Sequence, residues 1–220
     1  MNLIVESQYF APVIFYKISY NFSHIVFEQF ETYQKMSFRN RCQIAGAQGV
    51  IDLSIPLVGG RGQKGLTRDV RIAGDRSWQE QHWRTIVSCY SRSPWFEYYR
   101  DGFEKLYGKP ADFLMDWNQE CLEWSLRALG MSRTIGRTEA YREVYLPGEG
   151  ADWRNRLVPR DRKKWEEAPR YHQVFEERIG FTPHLSILDL LFCEGKEAIR
   201  YIRSSDGGKL SEAAAGVFAN

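Results

Sequence analysis

The sequence predicts a single α/β domain with a βαβ-type start, a small mixed sheet and a helical C-terminal half. Three observations lead to this fold class. Two short apolar runs flank a segment that opens with Pro12, short strand-like runs with glycine-containing turns follow, and amphipathic segments of helical length dominate after Ser77. A chain of 220 residues is long enough to bury a substantial core in one domain.

The first elements are predicted to form a βαβ unit. Residues 3–5 are a continuous apolar run, which is typical of a buried strand. A loop over residues 7–11 follows. Pro12 then suits the first turn of a helix that ends near Asn21, because its missing N–H is not needed there. With a second strand at residues 24–28, this order predicts a parallel pair joined by a right-handed crossover.

Residues 41–45 and 50–56 are predicted to form an antiparallel hairpin, since the glycine-containing loop 46–49 separates them. The loop 59–65 contains four glycines and two cations, so it is either a flexible hairpin tip or a cradle for a phosphate. Its spacing matches neither the Walker A motif nor the dinucleotide-binding fingerprint. Residues 69–72 read as another short strand.

The second half of the chain is predicted to be mainly helical. Ser77 and Glu80 have the spacing of a capping box, which opens a helix that ends near Tyr90. Further amphipathic or apolar helices are predicted over residues 95–106, 112–129 and 185–192, with a last short helix that ends at residue 202.

Two polar segments lack these patterns. Residues 131–168 are rich in Arg, Glu and Pro, and we expect them to lie on the surface and to include a lid. The Gly- and Ala-rich tail, residues 204–220, is predicted to be disordered, which leaves residues 1–203 as the folded domain.

Composition excludes several classes of function. With 30 basic and 28 acidic residues, the net charge of +2 is too balanced for a protein that binds duplex nucleic acid, and it weighs against a single-strand binder. No apolar run reaches the roughly 18–20 residues that span a bilayer. The N-terminus lacks the basic start of a signal peptide, so we expect a cytoplasmic protein. The four cysteines are widely spaced, which predicts buried thiols and no metal site.

The segment 33–41 is the strongest candidate for a binding site. It carries three cations, Lys35, Arg39 and Arg41, together with Asn40 and two aromatic residues. Guanidinium groups bind phosphate through paired hydrogen bonds, and an asparagine adds one donor and one acceptor. If the segment is extended, Arg39 and Arg41 share a face. The alternative is a solvated edge strand protected by its charges.

Two further groups of candidates follow the first two strands. Gln8, Tyr9 and Phe10 lie in the loop after the first strand, where α/β proteins bind ligands; we expect Gln8 to orient the substrate and an aromatic ring to stack on it. The alternative is an ordinary turn with its rings packed inward. Glu28 and Glu31 end the second strand, where a carboxylate can bind a sugar hydroxyl, act as a base or hold a magnesium ion with waters. The alternative is that either one only neutralises the nearby cations.

Two ionisable residues in predicted helices complete the set. His82 is a candidate general acid or base, since a histidine titrates near neutral pH, although it is also a common packing residue. Asp189 interrupts an apolar helix, and a buried carboxylate must find donors. We expect it to pair with an arginine of the segment 33–41 and so position that cation; exposure on the outer face of the helix is the alternative.

Several segments together resemble the WbqC-like family of bacterial proteins: residues 9–16, 28–33, 35–41, 78–84, 93–99 and 185–192. The resemblance covers residues 3–202, and the form with Glu28 and Glu31 is similar to the branch found in Bacteroidetes. The chain departs from the commoner pattern of the family at two places. Gln8 is followed by Tyr9 and not by proline, and Glu28-Gln29 stands where many members carry paired aspartates.

The resemblance implies a role near nucleotide-activated sugars, because the family is named for its association with O-antigen and other surface-polysaccharide gene clusters. We therefore expect a transferase that acts on a nucleotide-activated sugar or a related surface-polysaccharide precursor, with a small phosphorylated molecule as its partner. The alternative is a non-catalytic binding or scaffold protein of envelope biosynthesis. The sequence specifies no cofactor, donor, acceptor or oligomeric state.

Overall fold

The computed structural model describes residues 1–74, 77–146, 148–165 and 168–203. The predicted disordered tail, residues 204–220, lies outside the described residues. Four strands form a parallel sheet in the order β5-β2-β1-β6: β1 (Asn2–Val5), β2 (His24–Phe27), β5 (Thr134–Arg137) and β6 (Ala151–Asp152).

The predicted βαβ start is confirmed. Strand β1 pairs in parallel with β2, from Asn2 opposite His24 to Val5 opposite Phe27, and helix α1 (Val13–Tyr20) connects the two. The helix begins directly after Pro12, as its fixed φ favours. Both strands are largely buried, so their apolar runs carried a clear signal.

The antiparallel strands form a sheet of their own. Strand β3 (Arg41–Gly46) pairs with β4 (Gly49–Ser54), so the predicted hairpin is confirmed, but it does not join the parallel sheet. The strand expected at residues 69–72 is replaced by a 3₁₀ turn at Thr67–Asp69 and single bridges to neighbouring segments.

Helices account for much of the remaining chain, as the sequence predicts. The α-helices are α2 (Ser77–Tyr90), α3 (Phe96–Tyr107), α4 (Leu114–Ala128), α5 (Glu176–Ile179), α6 (Ile187–Glu194) and α7 (Ala198–Arg203). Short 3₁₀ helices lie at Gly60–Gly62, Pro159–Lys164 and Gly195–Glu197. One hydrophobic core includes residues of both sheets and of α1–α4, α6 and α7, and the chain is a single α/β domain. Each helix within the described residues is too short or too polar to cross a bilayer.

Aromatic rings join the helices to the loop after β1. The ring of Phe103 lies 5.3 Å from that of Phe10, 5.0 Å from Trp124 and 5.8 Å from Phe192. These contacts pack α3 against α4, α6 and the first loop, so Phe10 belongs to the core.

The polar segment 131–168 contributes two strands that its composition does not indicate. Strand β5 lies on one edge of the parallel sheet and β6, with two residues, on the other. Neither has an apolar run of its own, and each is a strand because β2 or β1 supplies its hydrogen-bond partners.

Candidate functional site

The four parallel strands end at one edge of the sheet, and buried polar side chains gather there. Glu6 follows β1, Glu28 follows β2, Thr138 follows β5, and Arg154 lies just beyond β6. This is the edge where α/β proteins bind ligands. We call this group, together with the partly buried Asp152 and the exposed Asn155 that bond to it, the sheet-edge cluster: Glu6, Gln8, Glu28, Glu31, Arg39, Asn118, Thr138, Asp152, Arg154 and Asn155.

Arg39 and Glu31 form the central ion pair of the sheet-edge cluster. Nε and Nη2 of Arg39 donate to Oε1 of Glu31 at 3.0 and 2.5 Å, and Nη2 also donates to Oδ1 of Asn155 at 2.8 Å. Within the described part of the chain, no donor reaches the other carboxylate oxygen, Oε2 of Glu31. Burial raises the pKa of Glu31, and the Arg39 guanidinium opposes this shift only in part.

Glu28 is held from three sides. It is fully buried and accepts hydrogen bonds from the Phe30 N–H at 2.8 Å, the Thr138 hydroxyl at 2.9 Å and Nη1 of Arg154 at 3.3 Å. Arg154 in turn donates to both oxygens of Asp152, at 2.9 and 2.6 Å, and these bonds raise the pKa of its guanidinium. Glu28 is therefore anchored to its own loop and to the segments that follow β5 and β6.

Arg154 also ties an exposed segment to the sheet-edge cluster. We call residues 139–146 the covering segment. Arg154 donates to the main-chain carbonyls of Arg142 at 2.8 Å and Glu143 at 3.2 Å, and its guanidinium lies 5.3 and 5.1 Å from the rings of two tyrosines of the segment. The covering segment is otherwise mostly exposed, so one side chain provides much of its attachment.

Three buried polar atoms of the sheet-edge cluster find no hydrogen-bond partner among the described residues: Oε1 of Gln8, Oδ1 of Asn118 and Nη1 of Arg39. The other ends of these groups are well placed. Nε2 of Gln8 donates to Glu6 at 2.9 Å, and Nδ2 of Asn118 donates to the Arg39 carbonyl at 2.8 Å and to Ser7 at 3.2 Å. Because an unmet buried polar group costs about 1–3 kcal/mol, such atoms mark a place that a ligand or water completes.

A second feature lies outside the cluster. A surface depression of about 350 Å³, the basic depression, is lined by Lys35, Arg41, Asn40, Gly60 and the end of the hairpin. Lys35 is exposed. Nη1 of Arg41 reaches Asp52 at 3.4 Å, whereas its Nε is without a partner among the described residues. None of the described lining residues carries a carboxylate, so the basic depression favours an anion.

Asn40 lines the basic depression, and both ends of its amide are anchored. Its Oδ1 accepts from the Tyr33 hydroxyl at 3.0 Å, and its Nδ2 donates to the Ile55 carbonyl at 2.9 Å. The side chain therefore fixes the wall that Lys35 and Arg41 flank. Because an amide has a second N–H and a second lone pair, direct contact of Asn40 with the substrate stays a prediction.

The cations of the segment 33–41 do not converge. Residues 35–40 form turns and no extended strand, and Met36 adopts a positive φ of 59°. Arg39 consequently points into the sheet-edge cluster, while Lys35 and Arg41 line the basic depression. The expectation of one shared cleft is wrong, because it required an extended backbone.

Tyr9 and Phe10 lie in the core. Tyr9 is fully buried, and its hydroxyl contacts Nδ1 of His82 at 2.9 Å and the hydroxyl of Tyr107. Phe10 is 1% exposed and packs on Phe103. This corrects the expectation that one of the two rings stacks on a ligand: the inward-packed alternative describes both.

His82 is a packing residue in this structure. It is 5% exposed, with the Trp78 ring 5.2 Å away, and burial lowers its pKa to about 4. The imidazole is therefore neutral at neutral pH and accepts or donates within the core. Its described contacts are the Tyr9 hydroxyl, aromatic rings and the main chain of Ser54, and none is a carboxylate of the sheet-edge cluster. The structure therefore does not bring His82 together with the other candidate bases, and the packing alternative describes its surroundings.

Asp189 is fully buried, and its described hydrogen-bond partners all lie outside the segment 33–41. Its carboxylate accepts from the hydroxyls of Tyr90 and Tyr171, both at 2.7 Å, and from Nε2 of Gln173 at 2.9 Å. Burial raises its pKa. Pairing with an arginine and exposure on the helix surface are both wrong: two tyrosines and a glutamine supply the donors.

The sequence analysis missed six members of the cluster, among them Asp152, which ends the two-residue strand β6. Glu6 follows a predicted strand as Glu28 does, so the same rule identifies it. Asn118 lies on the inner face of α4, and Thr138, Arg154 and Asn155 follow strands that lack a sequence signal; Asn155 also has a positive φ of 59°, which asparagine tolerates.

Within the described residues, no group of three or more His, Cys, Asp or Glu side chains is arranged to hold a metal ion. The four cysteines are free and buried, as expected. The cluster therefore consists of carboxylates, amides and guanidiniums, a set suited to binding polar ligands and to moving protons.

Comparison with known proteins gives a family. The model of the WbqC-like protein family matches residues 7–158 and 152–201. The chain is also similar to the uncharacterized protein Rv1507c of Mycobacterium tuberculosis (strain ATCC 25618 / H37Rv). The two are 28% identical over an alignment 225 residues long, gaps included, which covers 91% of this chain and 96% of that protein. No solved structure matches the chain significantly.

Proposed function

The chain belongs to the WbqC-like protein family, and we propose that it is a transferase that acts on a nucleotide-activated sugar or a related surface-polysaccharide precursor. The sheet-edge cluster carries this proposal. It buries several carboxylates and two guanidiniums where α/β proteins bind ligands. Buried ion pairs add little to stability on their own, so such a concentration favours a functional role.

The phosphates of the substrate bind in the basic depression. Lys35 and Arg41 provide an ammonium and a guanidinium there, and the depression has room for a diphosphate and part of a sugar or base. Arg39, which directly precedes the wall residue Asn40, extends from this surface into the sheet-edge cluster. The chain thus connects a phosphate site to a proton-transfer site through three consecutive residues.

Glu31 is the base in this account. Its raised pKa brings it closer to neutral pH, where a carboxylate is an efficient proton acceptor, and its Oε2 is the oxygen that receives the proton from the attacking group. Arg39 orients the carboxylate through the bonds to Oε1. Glu28 and Gln8 hold the sugar by hydrogen bonds, from the same edge of the sheet.

Movement of the covering segment gives the substrate access to the sheet-edge cluster. Since most members of the cluster are buried, the substrate enters when the covering segment swings away and Arg154 releases the carbonyls that it binds. A cytoplasmic location, where the activated precursors are made, belongs to the same proposal.

A thermal-shift measurement tests the binding step. We expect UDP-glucose and UDP, but not uridine, to raise the melting temperature, because a ligand that binds only the folded state stabilises it. The double variant K35A/R41A should lose this shift. The matched control K105A, which removes an exposed lysine of α3, should keep it. The proposal fails if no nucleoside diphosphate or nucleotide sugar stabilises the wild-type protein.

One observation favours a second candidate, a non-catalytic scaffold of envelope biosynthesis. Both Glu28 and Glu31 are already paired with guanidiniums in a buried network, and such pairs also serve fold specificity. A scaffold would show no stabilisation by nucleotide sugars, and R41A would reduce its capture of partner proteins while leaving polysaccharide chemistry intact.

A further inference from the structure

The sheet-edge cluster has too much negative charge for a phosphate. Four carboxylates stand against two guanidiniums: Glu6, Glu28, Glu31 and Asp152 against Arg39 and Arg154. Glu6 and Glu28 both act on Glu31 in the direction that discourages its ionisation. An anionic ligand would add to this repulsion, whereas a cationic one would relieve it.

The unmet hydrogen-bonding groups point the same way. Two buried acceptors of the cluster, Oε1 of Gln8 and Oδ1 of Asn118, have no donor from the described residues. The described hydrogen bonds of the Glu31 carboxylate reach only its Oε1, so its Oε2 is a third acceptor open to a ligand. Gln8 and Asn118 are both more than nine-tenths buried, and the amide nitrogen of each already bonds within the cluster. Arg39 adds one unmet donor, Nη1.

We propose that the sheet-edge cluster binds the protonated primary amine of an amino sugar. An ammonium has three N–H donors and no acceptor, which matches three unmet acceptors and the excess of carboxylates. An adjacent hydroxyl of the sugar accepts from Nη1 of Arg39. A metal ion is a poor substitute, since the described carboxylates and histidines are not arranged as a metal site.

This inference rests on the proposed function in one respect, because it takes the sugar of the substrate to lie at the sheet edge and its phosphates to lie in the basic depression. It deepens that function by naming the class of sugar. Glu31 accepts an N–H of the ammonium through the same Oε2 that serves as the base of the proposed function, so recognition and proton transfer involve the same carboxylate.

Calorimetric titration with matched nucleotide-free sugars tests the inference. At slightly acidic pH, D-glucosamine should bind, and D-glucose and N-acetyl-D-glucosamine, which share its ring but lack the ammonium, should bind at least roughly tenfold more weakly. Equal binding of the three sugars, or no binding of glucosamine, overturns the inference. Stabilisation by UDP in the same preparation shows separately that the phosphate site of the proposed function is intact.

An isosteric variant tests whether the amine of the sugar binds at Glu31. E31Q removes one negative charge and one of the three acceptors, so glucosamine affinity should fall roughly tenfold. Circular dichroism verifies that the variant is folded. The matched control E177Q, which changes an exposed carboxylate of α5, should leave the affinity unchanged. Unchanged affinity in a folded E31Q, or an equal loss in E177Q, contradicts the placement of the amine at the cluster.

Discussion

Arg39 and Arg41 are two positions apart and differ sharply in their surroundings. The side chain of Arg39 is 0% exposed and bonds to Glu31 and Asn155, whereas Arg41 is 14% exposed and has a longer contact with the half-exposed Asp52. A buried charge that loses its partner is costly, and an exposed pair contributes little. The segment 33–41 therefore contributes one arginine to the buried ion pair and one to the basic depression.

We expect R39A to lower the free energy of unfolding by about 3–5 kcal/mol, because it leaves the buried Glu31 carboxylate unpaired. R41A should lower it by less than about 1 kcal/mol. Urea unfolding at neutral pH measures both. Similar losses in the two variants would mean that the buried pair is not a special contributor to stability.

The lowered pKa of His82 predicts that the free energy of unfolding depends on pH in the acidic range. Burial lowers its pKa from 6.5 to about 4. Between these values the unfolded chain binds a proton that the folded chain does not, so the free energy of unfolding falls as the pH falls from 6.5 to 4, by roughly 3 kcal/mol in total. Below pH 4 this contribution changes no further.

Urea unfolding at a series of pH values should show this slope in the wild type and a flatter one in H82N. The variant H24N, which removes an exposed imidazole, shows whether loss of any histidine has the same effect. A wild-type slope that persists unchanged in H82N would show that another group titrates in this window.

At the scale of elements, the sequence predicts those strands, turns and helices that their own residue pattern identifies. Three patterns were each sufficient to predict an element: the apolar runs of β1 and β2, the turn glycines of the hairpin and the periodic pattern of α4. Strands β5 and β6 were not predictable, because their strand character comes from neighbours more than 100 positions away along the chain.

The same limit applies to the site. Glu28, Glu31 and Gln8 follow strong strands, so their arrival at the sheet edge was predictable. Arg154 and Asn155 reach it only through the pairing of β6. The turn that reverses Arg39 relative to Arg41 includes a methionine at positive φ, a conformation that composition does not indicate.

The covering segment should loosen when its tether is removed. Because Arg154 binds two of its carbonyls and lies over two of its tyrosine rings, R154A should increase amide hydrogen exchange in residues 139–146 by roughly tenfold or more. R156A, which removes an arginine that lies over Trp153, is the control. Equal exchange in R154A and the wild type would rule out this tether.

At the scale of the whole molecule, Asp189 joins distant parts of the fold. It receives hydrogen bonds from Tyr90 at the end of α2 and from Tyr171 and Gln173, and the Tyr90 hydroxyl also accepts from the Ala45 N–H of β3. One carboxylate in α6 thus connects the hairpin, α2 and the segment before α5. It is a structural network separate from the sheet-edge cluster.

We expect D189A to lower the free energy of unfolding by about 3 kcal/mol, because it strands several buried donors. The shift of melting temperature on adding UDP-glucose should remain. E177A, an exposed carboxylate of α5, should change stability by less than about 0.5 kcal/mol. Loss of the ligand shift in a folded D189A would assign Asp189 to the binding site.

The most direct test of the account is polysaccharide production in cells that carry only E31Q. If Glu31 is the base, the variant should keep its fold and its stabilisation by UDP-glucose but form product at least roughly a hundredfold more slowly. Wild-type amounts of surface polysaccharide in cells with a folded E31Q protein would contradict the central claim that this carboxylate carries the chemistry.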